Sequence, residues 1–443
     1  VNRILLRIVV AASLGGFLFG FDLSVISGTT RSLTDRFALD DWGLGLTVSS
    51  AIWATAVGAL VSGWFAERFG RLAALRLASI FFVLSGMGCA VAPGWWCLIG
   101  FRIIGGLAVG ISCVVCPMYV AEISPARLRG RLVLMFQMNI VVGILLAYIS
   151  NALVSPFNFG DEWRWKLGAE TLPALIFLVS LFGLPQSPRW LAKRNRMVEA
   201  RKVLTYVGES EPEKRLNEIC GTVAQGSSEP LWQMKYRKPM LIGFALIFFN
   251  NMAGISAVMN YLNDIFRLAH FSKSASDMGA VLVGFLNFIF TILAMFLIDR
   301  LGRRKLLLIG AMGLAPCLAA MAGIFHYQRS QNLLIWLLGV YIAFFAISQG
   351  AVVWVYMSEI FPNSIRGRGE AVTSFISMLI GALVAQMYPL MRSVSVAFPF
   401  LVFSVMMVFQ FVVVWFCFPE TRGVTLEEIQ RKLGIYEARQ QSA

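Results

Sequence analysis

Asp22 is the only carboxylate in an otherwise uncharged stretch, GGFLFGFDLSVISG. A lone charge at the centre of a membrane helix costs about 2.5 to 3.5 kcal/mol on translocon scales, so both a partner and a function are expected for it. Arg102, in LIGFRIIGG, is the matching cation. The two segments run in opposite directions, and each charge lies about six residues, or roughly 9 Å, from the outer end of its own segment. Glu170, near the outer end of a later apolar stretch, is placed to join them. A carboxylate whose arginine approaches and withdraws is a proton switch, because pairing favours the ionised form and isolation in a dry cavity favours the protonated one. The alternative is a static ion pair that only fixes helix packing.

A second set of charges gathers in loops: Glu67, Arg68, Arg71, Glu122 and Arg129, then Asp299, Arg300, Arg303, Glu359 and Arg366. These are one pattern written twice. GWFAERFGR (63–71) recurs as FLIDRLGRR (296–304), and AEISPARLRGR (121–131) recurs as SEIFPNSIRGR (358–368). Glu67 and Asp299 are 232 positions apart, and Glu122 and Glu359 are 237 apart, far outside the periods of solenoids and propellers. The repeated acid-then-base order predicts a gate latch on one face, closed by pairing across the halves. Plain anchoring of basic loops is the competing reading.

The elements that must hold these charges are apolar. The chain is 58% hydrophobic and 14% charged over 443 residues, more apolar side chain than a soluble surface hides. Runs of roughly 20 residues suit membrane-crossing helices. They fall near 5–28, 47–66, 73–92, 95–118, 132–154, 168–184, 239–262, 279–298, 305–326, 334–357, 371–391 and 397–418. The expected architecture is an all-α polytopic membrane protein of twelve transmembrane helices in two pseudo-symmetric six-helix bundles. The bundles are 1–184 and 239–418, joined by a linker with short helices of its own (185–238) and followed by a tail (419–443). Thr425, three residues before Glu428, is expected to cap a short tail helix. A repeat of this size in such a chain points to a transporter, whose halves rock about a site between them.

The net charge of +14 does not form a nucleic-acid stripe. Arg and Lys concentrate in alternate loops, as the positive-inside rule requires, which puts both termini in the cytoplasm. The first apolar stretch is too long for a signal-peptide core and reads as a retained span. Five of the seven cysteines sit within spans, so no disulfide framework is expected. Cys113 and Cys116 have a C-x-x-C spacing with no further ligand nearby, which favours packing over metal binding. With no nucleophile and base set, no phosphate loop and no metal cluster, an enzyme is not expected, nor is a bound cofactor or metal.

The motifs GFLFGFDLSVISG, RIIGG, PMYVAEISPARLRGR, PQSPRWL, DRLGRR, SEIFPNSIRGR and PETRG, taken in order and spacing, resemble the sugar porter family of the major facilitator superfamily. The resemblance covers nearly the whole chain. It implies alternating access and movement of hexoses, pentoses or polyols, by proton symport or by facilitated diffusion. It also implies that Asp22 carries the proton with Arg102 as partner, and that Phe19, Gln137, Asn287 and Trp354 contact sugar. Amides donate and accept together, and aromatic faces cover the C–H side of a pyranose, so such a set is chemically apt. The spacing of Trp354 from Glu359 places it deep in its span.

The chain departs from the family at several positions. Span seven carries Asn250, Asn251 and Ser256 where a glutamine pair and an asparagine are usual, and span eleven has Ser377 and Met378 in place of an amide and a tryptophan. Asn250, Asn251 and Ser256 are read equally as substrate contacts or as interhelical hydrogen bonds. Gln186 replaces a glutamate and Leu72 a second arginine, which suggests a looser inward gate. The leading expectation is import of a monosaccharide or related polyol by proton symport across a bacterial inner membrane, by a monomer whose partners are sugar, protons and lipid. A facilitative uniporter is the first alternative. A carrier of another small organic solute or a non-transporting nutrient sensor follows.

Overall fold

The computed structural model describes residues 3–435 except 126–127, 158–159, 210, 225–232, 363–364, 425 and 434, and leaves out the side chains of 3, 129–131, 222–224, 299, 426–427 and 432. Every regular element among the described residues is helical. The chain divides into two compact units, one formed by 1–40 and 46–227 and the other by 41–45 and 228–443.

The first unit is built on α1 (Arg3–Val25), α2 (Thr30–Phe37), α3 (Asp41–Phe69), α4 (Arg71–Val91), α5 (Trp95–Ile123) and α6 (Arg129–Val154). These are followed by α7 (Glu162–Gly168), α8 (Thr171–Ser180), α9 (Pro188–Lys193), α10 (Met197–Tyr206) and α11 (Pro212–Ala224). The last three are the short helices expected between the halves. They are not a free tether: Leu191, Ala200, Leu204 and Leu216 bury their side chains in the same core as Leu75, Phe82 and Tyr119.

The second unit runs through α12 (Arg237–Met252), α13 (Ile255–Asn260), α14 (Leu262–Leu268), α15 (Lys273–Leu301) and α16 (Arg303–Tyr327). It continues with α17 (Leu334–Phe345), α18 (Ala351–Ile360), α19 (Arg366–Val394), α20 (Phe398–Cys417) and α21 (Leu426–Lys432). A π-helical turn at Ala346–Gly350 joins α17 to α18.

Among the described residues, eleven segments are long and apolar enough to cross a membrane. They correspond to eleven of the twelve expected spans. The remaining one, expected over 168–184, contains the ten-residue α8, entered through a turn at Ala169 and Glu170. Pro173 accounts for the late start, since it has no N–H to continue a helix from upstream and is tolerated only in a first turn. Glu170 therefore sits at a helix end.

Two features of the backbone position the charges. α1 and α6 approach closely because Gly20 and Gly143 carry no side chain: a Cβ on Gly20 would stand 1.9 Å from the Ile140 carbonyl oxygen, and one on Gly143 2.0 Å from that of Phe17. At the two repeated charged loops, one residue separates long helices. Gly70 (φ +100) divides α3 from α4, and Gly302 (φ +91) divides α15 from α16, a backbone region closed to residues with a Cβ.

Candidate functional site

Asp22 lies one turn before the end of α1, and Arg102 lies two turns into α5. Arg102 Nη1 donates to Asp22 Oδ1 at 2.7 Å, and the two residues are only 3% and 6% exposed. Glu170, at the start of α8, is as deeply buried and lies within electrostatic reach of both. Among the described residues, Glu170 Oε1 and Arg102 Nε have no hydrogen-bond partner. One carboxyl group thus pairs with the guanidinium, and a second is buried within its electrostatic reach. Two acids beside one arginine form a set of ionisable groups at one depth of the first unit.

The residues assigned to sugar contact divide between the units. Phe19 is on α1 and Gln137 on α6, both partly buried. In the second unit Asn251 and Ser256 come together around Gly381 of α19: a Cβ there would meet Asn251 Oδ1 at 3.0 Å and Ser256 Oγ at 3.5 Å. Asn251 Nδ2 donates to Ser377 Oγ at 3.1 Å and to the Ile247 carbonyl at 3.0 Å, so its amide nitrogen ties α12 to α19. Asn250 is partly buried and Asn287 is 6% exposed. Trp354 is 45% exposed, within its span and open to a space a ligand could reach. Its place on α18, just past the π-helical turn, points the indole away from the packed face that holds Val352, Val353 and Tyr356.

The latch charges form ion pairs within each unit. Arg71 Nη2 meets Glu122 Oε1 at 2.9 Å in the first, and Arg303 Nη2 meets Glu359 Oε1 at 2.9 Å in the second. Glu67 pairs with Lys193 of α9 at 3.1 Å. Short helix ends bring these partners together locally. Arg68 and Arg300 are exposed, and Arg366 Nε donates to the Phe361 carbonyl at 3.4 Å. The side chains of Arg129 and Asp299 and the expected cap Thr425 lie outside the described residues.

The two clusters correspond contact by contact. Ser187 Oγ donates to Glu122 and Thr421 Oγ1 to Glu359. Tyr119 Oη donates to the Pro185 carbonyl at 2.6 Å, and Tyr356 Oη to that of Pro419 at 2.7 Å. PQSP and PETR are therefore also copies of one another, a relation their residue types conceal.

Several buried polar groups are not evident from the sequence. Gln349 in the π-helical turn donates to Gln410 of α20, and both are fully buried. A lone glutamine in each of two apolar spans is the only signal for them. Asn263 Nδ2 donates to Asp277 Oδ1 at 2.6 Å in a buried pair, and Lys166, with its side chain fully buried, donates to the Gly28 carbonyl at 2.9 Å. All three belong to segments that read as loops.

The family model for sugar (and other) transporters matches residues 8–433. The chain belongs to the sugar transporter family. It is 37% identical over 430 residues to the probable metabolite transport protein CsbC of Bacillus subtilis, covering 95% of this chain and 93% of that one. It is 33% identical over 468 residues to the D-xylose-proton symporter of Escherichia coli, covering 96% and 94%. Among solved structures it is similar to the inward open conformation of the xylose transporter XylE from E. coli, with a TM-score of 0.86, 32% identity and coverage of 97% and 99%. The chain is thus a multi-pass membrane transporter of the major facilitator fold, not an enzyme.

Proposed function

We propose that this transporter imports a monosaccharide or related polyol by proton symport through alternating access. The observation that carries the reading is the buried triad of Asp22, Arg102 and Glu170, two acids around one base. Asp22 is the proton carrier, Arg102 its switch partner, and Glu170 the second carboxyl that makes the group sensitive to a single proton. A static structural pair would need no third ionisable group. The relatives named as xylose-, galactose- and arabinose-proton symporters support both the substrate class and the coupling.

Phe19 and Gln137 in the first unit, and Asn250, Ser256, Asn287 and Trp354 in the second, are the side chains we assign to the sugar. Asn251 is assigned to it through its Oδ1, since its nitrogen is engaged. Glu67, Arg68, Arg71, Glu122 and Arg129 with Asp299, Arg300, Arg303, Glu359 and Arg366 form the gate clusters. The protein works as a monomer in a bacterial inner membrane with both termini cytoplasmic. The bundles we assign are 1–184 and 239–418, with the linker and tail on the cytoplasmic side.

The test is uptake of a labelled monosaccharide and polyol panel into proteoliposomes, with and without an inward proton gradient, for the native chain and Asp22→Asn. Gradient-driven accumulation that the variant loses while keeping equal-concentration exchange supports symport. Equilibration without accumulation by the native chain would instead establish the facilitative uniporter. No movement of any sugar by a folded preparation would overturn the substrate class.

A further inference from the structure

We propose that the second unit carries a binding site for a phosphoryl group on the face that bears its repeated charged loops. A cavity of about 390 Å³ opens there between the start of α16, the end of α18, the start of α19 and the chain leading into α21. Its volume falls in the range of roughly 300 to 1,000 Å³ typical of small-molecule sites. Three arginines line it, Arg303, Arg366 and Arg422, against one carboxylate, Glu359.

That carboxylate is already engaged on both oxygens. Oε1 accepts from Arg303 Nη2 at 2.9 Å, and Oε2 accepts from the Thr421 hydroxyl. Among the described lining residues no further carboxylate answers the positive charges of Arg366 and Arg422, of which Arg366 also acts on Glu370, one turn further along α19. Arg422 is held in place through its backbone, whose N–H donates to Glu420 Oε1 at 3.0 Å, while its side chain is exposed. Two guanidinium groups facing one space suit the tetrahedral oxygens of a phosphate, which they bind through paired, charge-assisted hydrogen bonds.

The repeat itself does not demand this site. Since Thr421 corresponds to Ser187, the counterpart of Arg422 in the first unit is Pro188. That proline opens α9, whose Trp190 Nε1 donates to the Glu67 carbonyl and lays the helix over the end of α3. The cation at this position is therefore a feature of the second unit. Helix ends at this depth are within reach of a lipid headgroup, and the same cluster is open to a soluble phosphate. The chemistry recognised is the same.

Thermal unfolding of the full chain separates the sources. In a neutral detergent, inorganic phosphate is titrated against sodium chloride at equal ionic strength. In lipid discs, phosphatidylcholine alone is compared with an equal mixture of phosphatidylcholine and phosphatidylglycerol. A rise in midpoint with phosphate assigns a soluble anion, and a rise only with phosphatidylglycerol assigns a headgroup. Either response is expected to weaken roughly tenfold in probe concentration for Arg422→Ala, an exposed position whose loss leaves the fold intact, and for Arg366→Gln. Arg201→Ala, which removes the same charge from α10, is expected to keep it. No response of the native chain to either probe, or an equal loss in Arg201→Ala, overturns the site.

Discussion

Gln186 and Glu420 occupy the same place in the two units, each folded against the glycine that divides a pair of long helices. A Cβ on Gly70 would stand 2.6 Å from Gln186 Nε2, and one on Gly302 would stand 2.8 Å from Glu420 Oε2. The chemistry differs. Glu420 accepts from the backbone N–H groups of Arg303 at 3.0 Å and Arg304 at 3.2 Å, at the start of α16, and from those of Thr421 and Arg422. Gln186 accepts only one, from Leu72 at 3.4 Å, at the start of α4. A carboxylate complements the positive end of a helix, and an amide does so weakly.

Replacing Gln186 with Glu should therefore stabilise the first unit by about 1 kcal/mol, and Glu420→Gln should destabilise the second by a similar amount. Thermal unfolding of the purified chain reads both. Midpoints that move together in the same direction would show that the two positions are not equivalent.

Arg102→Ala should cost about 3 to 5 kcal/mol, because it leaves the Asp22 carboxylate buried without its partner. The double variant Asp22→Asn with Arg102→Met should recover much of that loss. If the double variant is less stable than Arg102→Ala, the pair contributes net stability and the burial argument fails.

Gly20→Ala should destabilise by about 1 to 3 kcal/mol, since the added methyl meets backbone, not a side chain that could move aside. Gly63→Ala, where a Cβ meets nothing within 4 Å, is the matched control. Monodispersity on size exclusion after graded heating distinguishes them, and equal behaviour would mean that α1 and α6 part easily.

Asn251 and Ser377 should couple in a double-mutant cycle by roughly 0.6 kcal/mol, the usual worth of a hydrogen bond between membrane helices. If Asn251 also contacts sugar, Asn251→Ala raises KM while Ser377→Ala leaves it within about twofold, because a lost direct contact costs more than a lost orienting bond. Equal shifts in KM would place both residues in the packing of α12 on α19 and neither against substrate.

Charges in apolar surroundings were the most legible part of this chain, because the cost of burying an ion demands a reason for each. Asp22 and Arg102 stand out on that ground alone, and matched depth is enough to pair them. Asp277 and Lys166 are buried just as fully, yet they lie in segments between apolar runs. Nothing in a short polar stretch distinguishes a loop in solvent from one folded back onto helix ends. Trp354 marks a different limit. Distance along the chain gives depth in a span, but not the face of the helix, and Trp354 lies on the exposed one.

By itself the sequence determined the class of the protein: apolar runs of membrane length, their division into two copies, and the type of charge at each conspicuous position. Those properties follow from composition and periodicity, which the bilayer constrains directly. For the charges in the loops, only the tertiary structure decided who pairs with whom. Glu122 with Arg71, Glu359 with Arg303, and Gln186 as the counterpart of Glu420 all join segments 50 or more positions apart, or relate segments with unlike sequences. An ion pair has no preference for sequence distance, only for separation in space, so helix packing had to be known before partners could be named.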